Sequence, residues 1–227
     1  HRLRVLFPTC LETDQSFADT PFAIVEREIA IPESTALWQE RVNEEKAFSS
    51  FCGVADASGG LAVVSQGGLH EYAVLQTTQR ELALTLFRSF RKTVGKPEEK
   101  DGQLLGQLSF EYSLVPFSGQ PKPVELLRLA ARLQAPPRFH TAEALPPPVS
   151  RLSLEHGNAV VTALKPAANR QGGIIRFWNP TGEDVVEGFK TSCPLTSVCY
   201  CNLNEEPGET VQFRGEYVPV RIAAGGI

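Results

Sequence analysis

Glu81-Leu82-Ala83-Leu84-Thr85-Leu86-Phe87-Arg88 places a leucine at every second position from 82 to 86. Successive side chains of an extended chain point to opposite faces, so the three leucines share one face and Ala83 and Thr85 the other. A period of two marks a half-buried strand. Working upstream, Glu71-Tyr72-Ala73-Val74-Leu75 follows a turn at Gly67-Gly68, and Gly60-Leu61-Ala62-Val63-Val64-Ser65 is apolar and bounded by glycine, as a buried strand would be. Nearer the start, Leu3, Val5 and Phe7 share a face before Pro8, and short strands are expected at 22–27 and 28–31, ending at Pro32. Downstream, 107–114 alternates again. Short strands separated by Gly and Pro indicate an all-β antiparallel sandwich.

The segment 123–133, Pro-Val-Glu-Leu-Leu-Arg-Leu-Ala-Ala-Arg-Leu, breaks this pattern. Proline suits a first helical position, and Val124, Leu127 and Ala131 have the spacing of one helix face. A single short helix packed on a sheet is expected near the end of the large sandwich. Ala135-Pro136-Pro137 and Leu145-Pro146-Pro147-Pro148 cannot be strand interior, so a stiff, extended connector is expected over 135–150. Strands resume at 151–154, 159–164, 173–178, 198–203 and 216–222. The reading is therefore a β-sandwich over 1–134, a linker over 135–150, and a second, smaller C-terminal β-sandwich domain over 151–227.

The 227 residues are 42% hydrophobic, enough for a sizeable core, and the net charge is −4 from 22 basic and 26 acidic residues. That balance argues against a nucleic-acid-binding or membrane-surface protein dominated by positive charge. No apolar run approaches the ~18 residues that cross a bilayer as a helix. The chain starts at His1 and has no Met, which suggests a piece of something longer or a trimmed chain.

Familiar chemical signatures are missing from the sequence. There is no G-x-S-x-G elbow or H-E-x-x-H, and Gly95-Lys96 lacks the glycine of a phosphate loop. Asn179-Pro180-Thr181 is no glycosylation acceptor, because proline fills its middle. Five cysteines are an odd number, and Cys193, Cys199 and Cys201 lack a nearby fourth zinc ligand. Cys199 and Cys201 are expected as buried strand thiols on one face. The pairs Glu44-Glu45 and Glu205-Glu206 are expected to point apart and face solvent, and Asp14, Asp19 and Asp56 to serve turns. The most suggestive stretch is Gly67-Gly68-Leu69-His70-Glu71-Tyr72, whose glycines would present His70, Glu71 and Tyr72 at the end of a buried strand. A plain hairpin turn facing water is the alternative. Arg88 either pairs with a carboxylate or reaches a ligand, pairing being commoner.

Several motifs, taken in order, resemble glycoside hydrolase family 38, the α-mannosidases. His1-Arg2-Leu3-Arg4-Val5-Leu6-Phe7-Pro8-Thr9 is similar to the family segment RLRVLFPT, and Phe22 to Arg27 to F-x-V-V-E-R-P, with Glu28 in place of the proline. Residues 60–72 resemble GLAV…GLPEYEV, with His70 in place of a proline. Residues 82–89 resemble IALTLLRSV, and 106–112 the G-x-x-x-F-x-Y strand. Ile175-Arg176-Phe177-Trp178-Asn179-Pro180-Thr181 resembles LRLYNPT, and Asn202 to Glu206 resembles NLLEE. The likeness is nearest to the bacterial, mannosylglycerate-hydrolase-like branch.

The resemblance implies a hydrolase of mannose metabolism, a retaining α-mannosidase. Its zinc, carboxylate nucleophile and general acid would sit in an N-terminal α/β barrel upstream of His1. It implies that 1–134 is the second part of the family's large β-sandwich and 151–227 its small C-terminal domain, with no catalytic or metal-ligating residue and no cofactor within this chain. The N-terminal catalytic region of the same protein and a mannose-containing carbohydrate are the implied partners; no nucleic acid and no membrane are. His70, Glu71, Tyr72 and Arg88 are the candidate substrate-rim residues. Uncovered strand edges would favour a homo-oligomer. Unpaired cysteines and the bacterial likeness favour a cytoplasmic location. The alternative is a stand-alone carbohydrate-binding or protein-interaction β-sandwich; carbohydrate binding would want exposed aromatics, for which Trp38 and Trp178 are the candidates.

Overall fold

The computed structural model describes residues 1–227 except 41, 94, 97, 99, 100, 142, 145 and 146. Leu145 and Pro146 of the expected linker thus lie outside the described residues. The chain forms two compact units, His1–Pro136 and Pro137–Ile227.

The first unit contains β1 (Arg2–Pro8), β2 (Gln15–Thr20), β3 (Ala23–Glu28), β4 (Lys46–Ala47), β5 (Phe51–Ala55), β6 (Gly59–Ser65), β7 (Glu71–Leu75), β8 (Glu81–Arg88), β9 (Tyr112–Ser118) and helix α1 (Pro123–Gln134). One sheet runs β1-β8-β7-β4 and the other β3-β2-β5-β6-β9, all pairs antiparallel. The leucine alternation sets the first sheet's inner face. Leu84 is paired with Val5 and Tyr72, and Leu82 with Phe7 and Val74. These side chains meet Ala18, Cys52, Val54 and Val63 of the second sheet in one buried core.

The second sheet is apolar on both faces. Phe51, Ala62 and Val64 alternate with the inward residues and meet Leu126 and Ala130 of α1 in a separate core. Here α1 forms over the expected residues and covers a sheet face. Gly53 makes the close packing possible: a Cβ there would lie 2.5 Å from Phe17 Cζ and 2.6 Å from the Leu61 carbonyl oxygen. The outer strands carry Glu26, Arg27 and Glu28 on β3 and Pro116 on β9, residue types that discourage edge-to-edge pairing.

Two expected strands fall elsewhere. Residues 29–31 leave the ladder, and Ile29 instead plugs the core with its amide bonded to Asp14 O at 2.8 Å. The last strand of the unit is 112–118 rather than 107–114. Phe110 is held by stacking on Phe87, ring centroids 6.5 Å apart, and the ladder with β6 begins only at Tyr112.

The second unit contains β10 (Leu152–Leu154), β11 (Val160–Pro166), β12 (Gly173–Trp178), β13 (Val185–Thr191), β14 (Cys199–Cys201), β15 (Pro207–Thr210) and β16 (Tyr217–Ile222). They form the sheets β10-β13-β16, β11-β12 and β14-β15. Phe177, Phe189, Val218, Val220 and Ile222 make the core. Glu187 is fully buried and accepts backbone N–H bonds from His156 (2.9 Å), Asn158 (2.8 Å) and Gly188 (3.1 Å). Such a set satisfies a carboxylate that burial alone would penalise. Among the described residues no helix is long and apolar enough to cross a membrane.

Candidate functional site

The candidate residues lie around β7 and the end of β8. Gly67 and Gly68 take φ of 140° and 76°, conformations that disfavour other residues, and the Ser65 hydroxyl accepts the Gly67 N–H at 3.0 Å. The chain then drops Leu69 into the core and returns His70 to the surface. Phe48 N–H donates to the His70 carbonyl at 3.1 Å, which fixes the loop against the residue that follows β4. Glu71 opens β7. One of its oxygens accepts the Thr85 hydroxyl at 2.7 Å and the other the Arg88 guanidinium at 2.8 Å. Glu71 and Arg88 are thus brought together, Arg88 remaining 54% exposed at its side chain.

Tyr72 is a correction to the rim set. It is fully buried, its hydroxyl shares a hydrogen bond with Ser16 at 3.0 Å, and its ring meets Phe48 edge-on. Burial pushes its phenol above the ordinary range. Strand alternation held the signal, since the neighbour of an outward Glu71 must face inward. The surface presented here comprises an imidazole and a guanidinium braced by a carboxylate. Such groups can donate hydrogen bonds to hydroxyls or anionic groups.

A second polar cluster borders the same sheet. Arg4 is bonded to Glu44 at 3.3 Å and also to Glu45, and Glu45 additionally takes Arg2. The two adjacent carboxylates converge on one arginine, against the expectation that they point apart, because they lie outside any strand and are free of its alternation. Glu205 is likewise engaged rather than simply solvated: it binds Lys165, and it accepts the Ala168 N–H at 2.6 Å. Asp19 is no turn residue. It lies buried in β2 and accepts Ser50 N–H (2.7 Å), the Ser50 hydroxyl (2.6 Å) and Phe51 N–H (2.7 Å). Asp56 does serve a turn, accepting the Ser58 N–H and hydroxyl.

Cys199 and Cys201 lie on β14 as expected but are exposed, not buried, because β14-β15 is a two-stranded edge hairpin. Trp178 is buried and Trp38 is 59% exposed. The residues present do not fit a zinc centre: among the described residues no group of three or more His, Cys, Asp or Glu side chains could hold a metal ion.

Residues 158–224 match the model of the glycosyl hydrolases family 38 C-terminal beta sandwich domain. That match lies within the second unit. A curated relative, a putative mannosylglycerate hydrolase of Halalkalibacterium halodurans, is 27% identical over 189 residues, 81% of this chain and 20% of that protein. An α-mannosidase from Enterococcus faecalis superposes over 97% of this chain and 25% of its own, with a TM-score of 0.75 at 24% identity. A second family 38 structure from Enterococcus faecalis gives 0.73 over 97% of this chain and 26% of its own, again at 24% identity. The chain therefore spans between a fifth and about a quarter of the length of these relatives.

Proposed function

We propose that this chain is the non-catalytic β-sandwich portion of a retaining family 38 α-mannosidase and supports the rim of its sugar site. The observation that carries this reading is collinearity: motifs from His1 to Glu206 follow the family's order, and the fold follows a family 38 structure over 97% of the chain. The zinc and the catalytic carboxylates belong, in this reading, to an N-terminal catalytic region of the same protein. When bound there, zinc would hold sugar hydroxyls and stabilise charge as a carboxylate attacks the anomeric carbon. This chain's part is to orient: Glu71 and Thr85 fix Arg88, and the glycine turn fixes His70, so that both point their donors from a rigid sheet end. A bacterial cytoplasmic location fits five cysteines that are all unpaired.

The test is hydrolysis of a chromogenic α-mannoside with zinc present, for this chain and for the full reading frame. Activity from the full protein alone is the expected result. Robust hydrolysis by this chain alone overturns the assignment.

A second reading, a stand-alone carbohydrate-binding sandwich, has the exposed Trp38 in its favour, since sugar faces stack on exposed aromatic rings. Quenching of Trp38 emission by mannosides, lost in Trp38→Ala, would support it.

A further inference from the structure

β14 presents two thiols in a fixed arrangement. Val198, just before the strand, packs on the core of the second unit, and the Tyr200 hydroxyl accepts the Arg221 N–H of β16 at 2.9 Å. Both side chains therefore face the body of the unit. Alternation turns Cys199 and Cys201 to the other face, and both are exposed free thiols.

The hairpin holds them there from both ends. Val211 N–H donates to Val198 O at 2.9 Å. At the turn, the Asn202 side-chain oxygen accepts the N–H groups of Asn204 (3.0 Å) and Glu206 (3.1 Å). The ladder shifts register between Cys199 and Cys201, which face Thr210 and Pro207: two steps along β14 against three along β15, so the extra residue lies on β15. With Val198 and Tyr200 both turned to the body of the unit, the two thiols share the outer face.

Strand residues two apart sit about 6.6–6.8 Å apart at Cα. That is at the upper limit, about 6.8 Å, for a disulfide, so direct S–S bonding is poorly matched. A metal ion between the sulfurs is better matched: two metal–thiolate bonds of about 2.3 Å set the sulfurs about 4.6 Å apart in a line, and the side chains need only lean together. Zinc would want four ligands, and no cluster of three or more His, Cys, Asp or Glu able to hold a metal is found among the described residues. A soft monovalent ion is satisfied by two thiolates, and copper(I) is the ion that soft sulfur ligands select.

We propose that Cys199 and Cys201 form a two-coordinate site for copper(I). On binding, each thiol releases one proton to solvent and gives one sulfur lone pair to the ion, whose oxidation state is unchanged. Ordering the thiols in advance reduces the cost of binding, and an isolated thiol such as Cys10 lacks the second ligand. Binding weakens as pH falls, because protons compete for the sulfurs.

The test uses the full chain, reduced and anaerobic, titrated with copper(I) against a colorimetric copper(I) chelator. The expected result is one copper per monomer with two sulfur neighbours by X-ray absorption. Cys199→Ser and Cys201→Ser should each weaken apparent affinity at least tenfold, while Cys10→Ser and Cys193→Ser leave it unchanged. All four positions are exposed, and unchanged circular dichroism confirms folding. Failure of the parent chain to compete with the chelator overturns the proposal. So does full retention of copper by a chain lacking both Cys199 and Cys201, loss of copper in Cys193→Ser, or copper-dependent dimers in sedimentation.

Discussion

Asp19 carries more of the first unit's stability than its place in the sequence suggests. Its carboxylate gathers two backbone N–H groups and one hydroxyl in a buried site. Asp19→Ala would leave those donors without a partner, and hydrogen bonds to charged groups contribute about 1.5–3 kcal/mol each. A loss of about 3 kcal/mol or more is expected, read as a lowered urea midpoint, with Asp19→Asn losing less because an amide oxygen still accepts. The same carboxylate, after burial itself, helps push the Cys52 thiol well above its ordinary range. Asp19-Thr20-Pro21 reads as turn chemistry, and only the tertiary position of Ser50 reveals its role. For Glu71 and Arg88 the sequence was more informative, since a cation at a strand end most often finds a carboxylate.

At the scale of elements, strands with unbroken alternation were legible, apart from the shift of 107–114 to 112–118, and strands containing a special residue were not. β8 carries three alternating leucines and was readable outright. β2, β5 and β13 were hidden by Asp19, Gly53 and Glu187-Gly188, each placed by contacts distant in sequence. Periodicity reports burial, and a buried carboxylate or a glycine demanded by a neighbouring ring lies outside that report. The helix was legible because its formers are uninterrupted, but the face it covers was not. Leu126 is buried against the five-stranded sheet, so Leu126→Ala is expected to cost about 2–5 kcal/mol, measured by denaturant unfolding. An unchanged midpoint would mean that α1 does not cover that sheet in solution.

At the scale of the whole molecule, each unit has its own core, with Asp19 serving one and Glu187 the other. Acid should act on the second unit through Glu205. The Ala168 amide, and then Lys165, hold its carboxyl below the ordinary value of 4.5. A carboxylate depressed in the folded state adds stability above its unfolded pKa and loses that contribution as pH falls through the folded pKa. The unfolding midpoint of this unit should therefore drop with acidification below about pH 4.5, and Glu205→Gln should flatten that drop. At the start of the second unit, Arg138 and Phe139 lie in chain without helix or strand, and Phe139 is 93% exposed. A trypsin-like protease acts on such chain far faster than on paired strands. Brief digestion should cut after Arg138 and leave two resistant fragments, which makes this stretch a natural seam for exchanging one module while keeping the other.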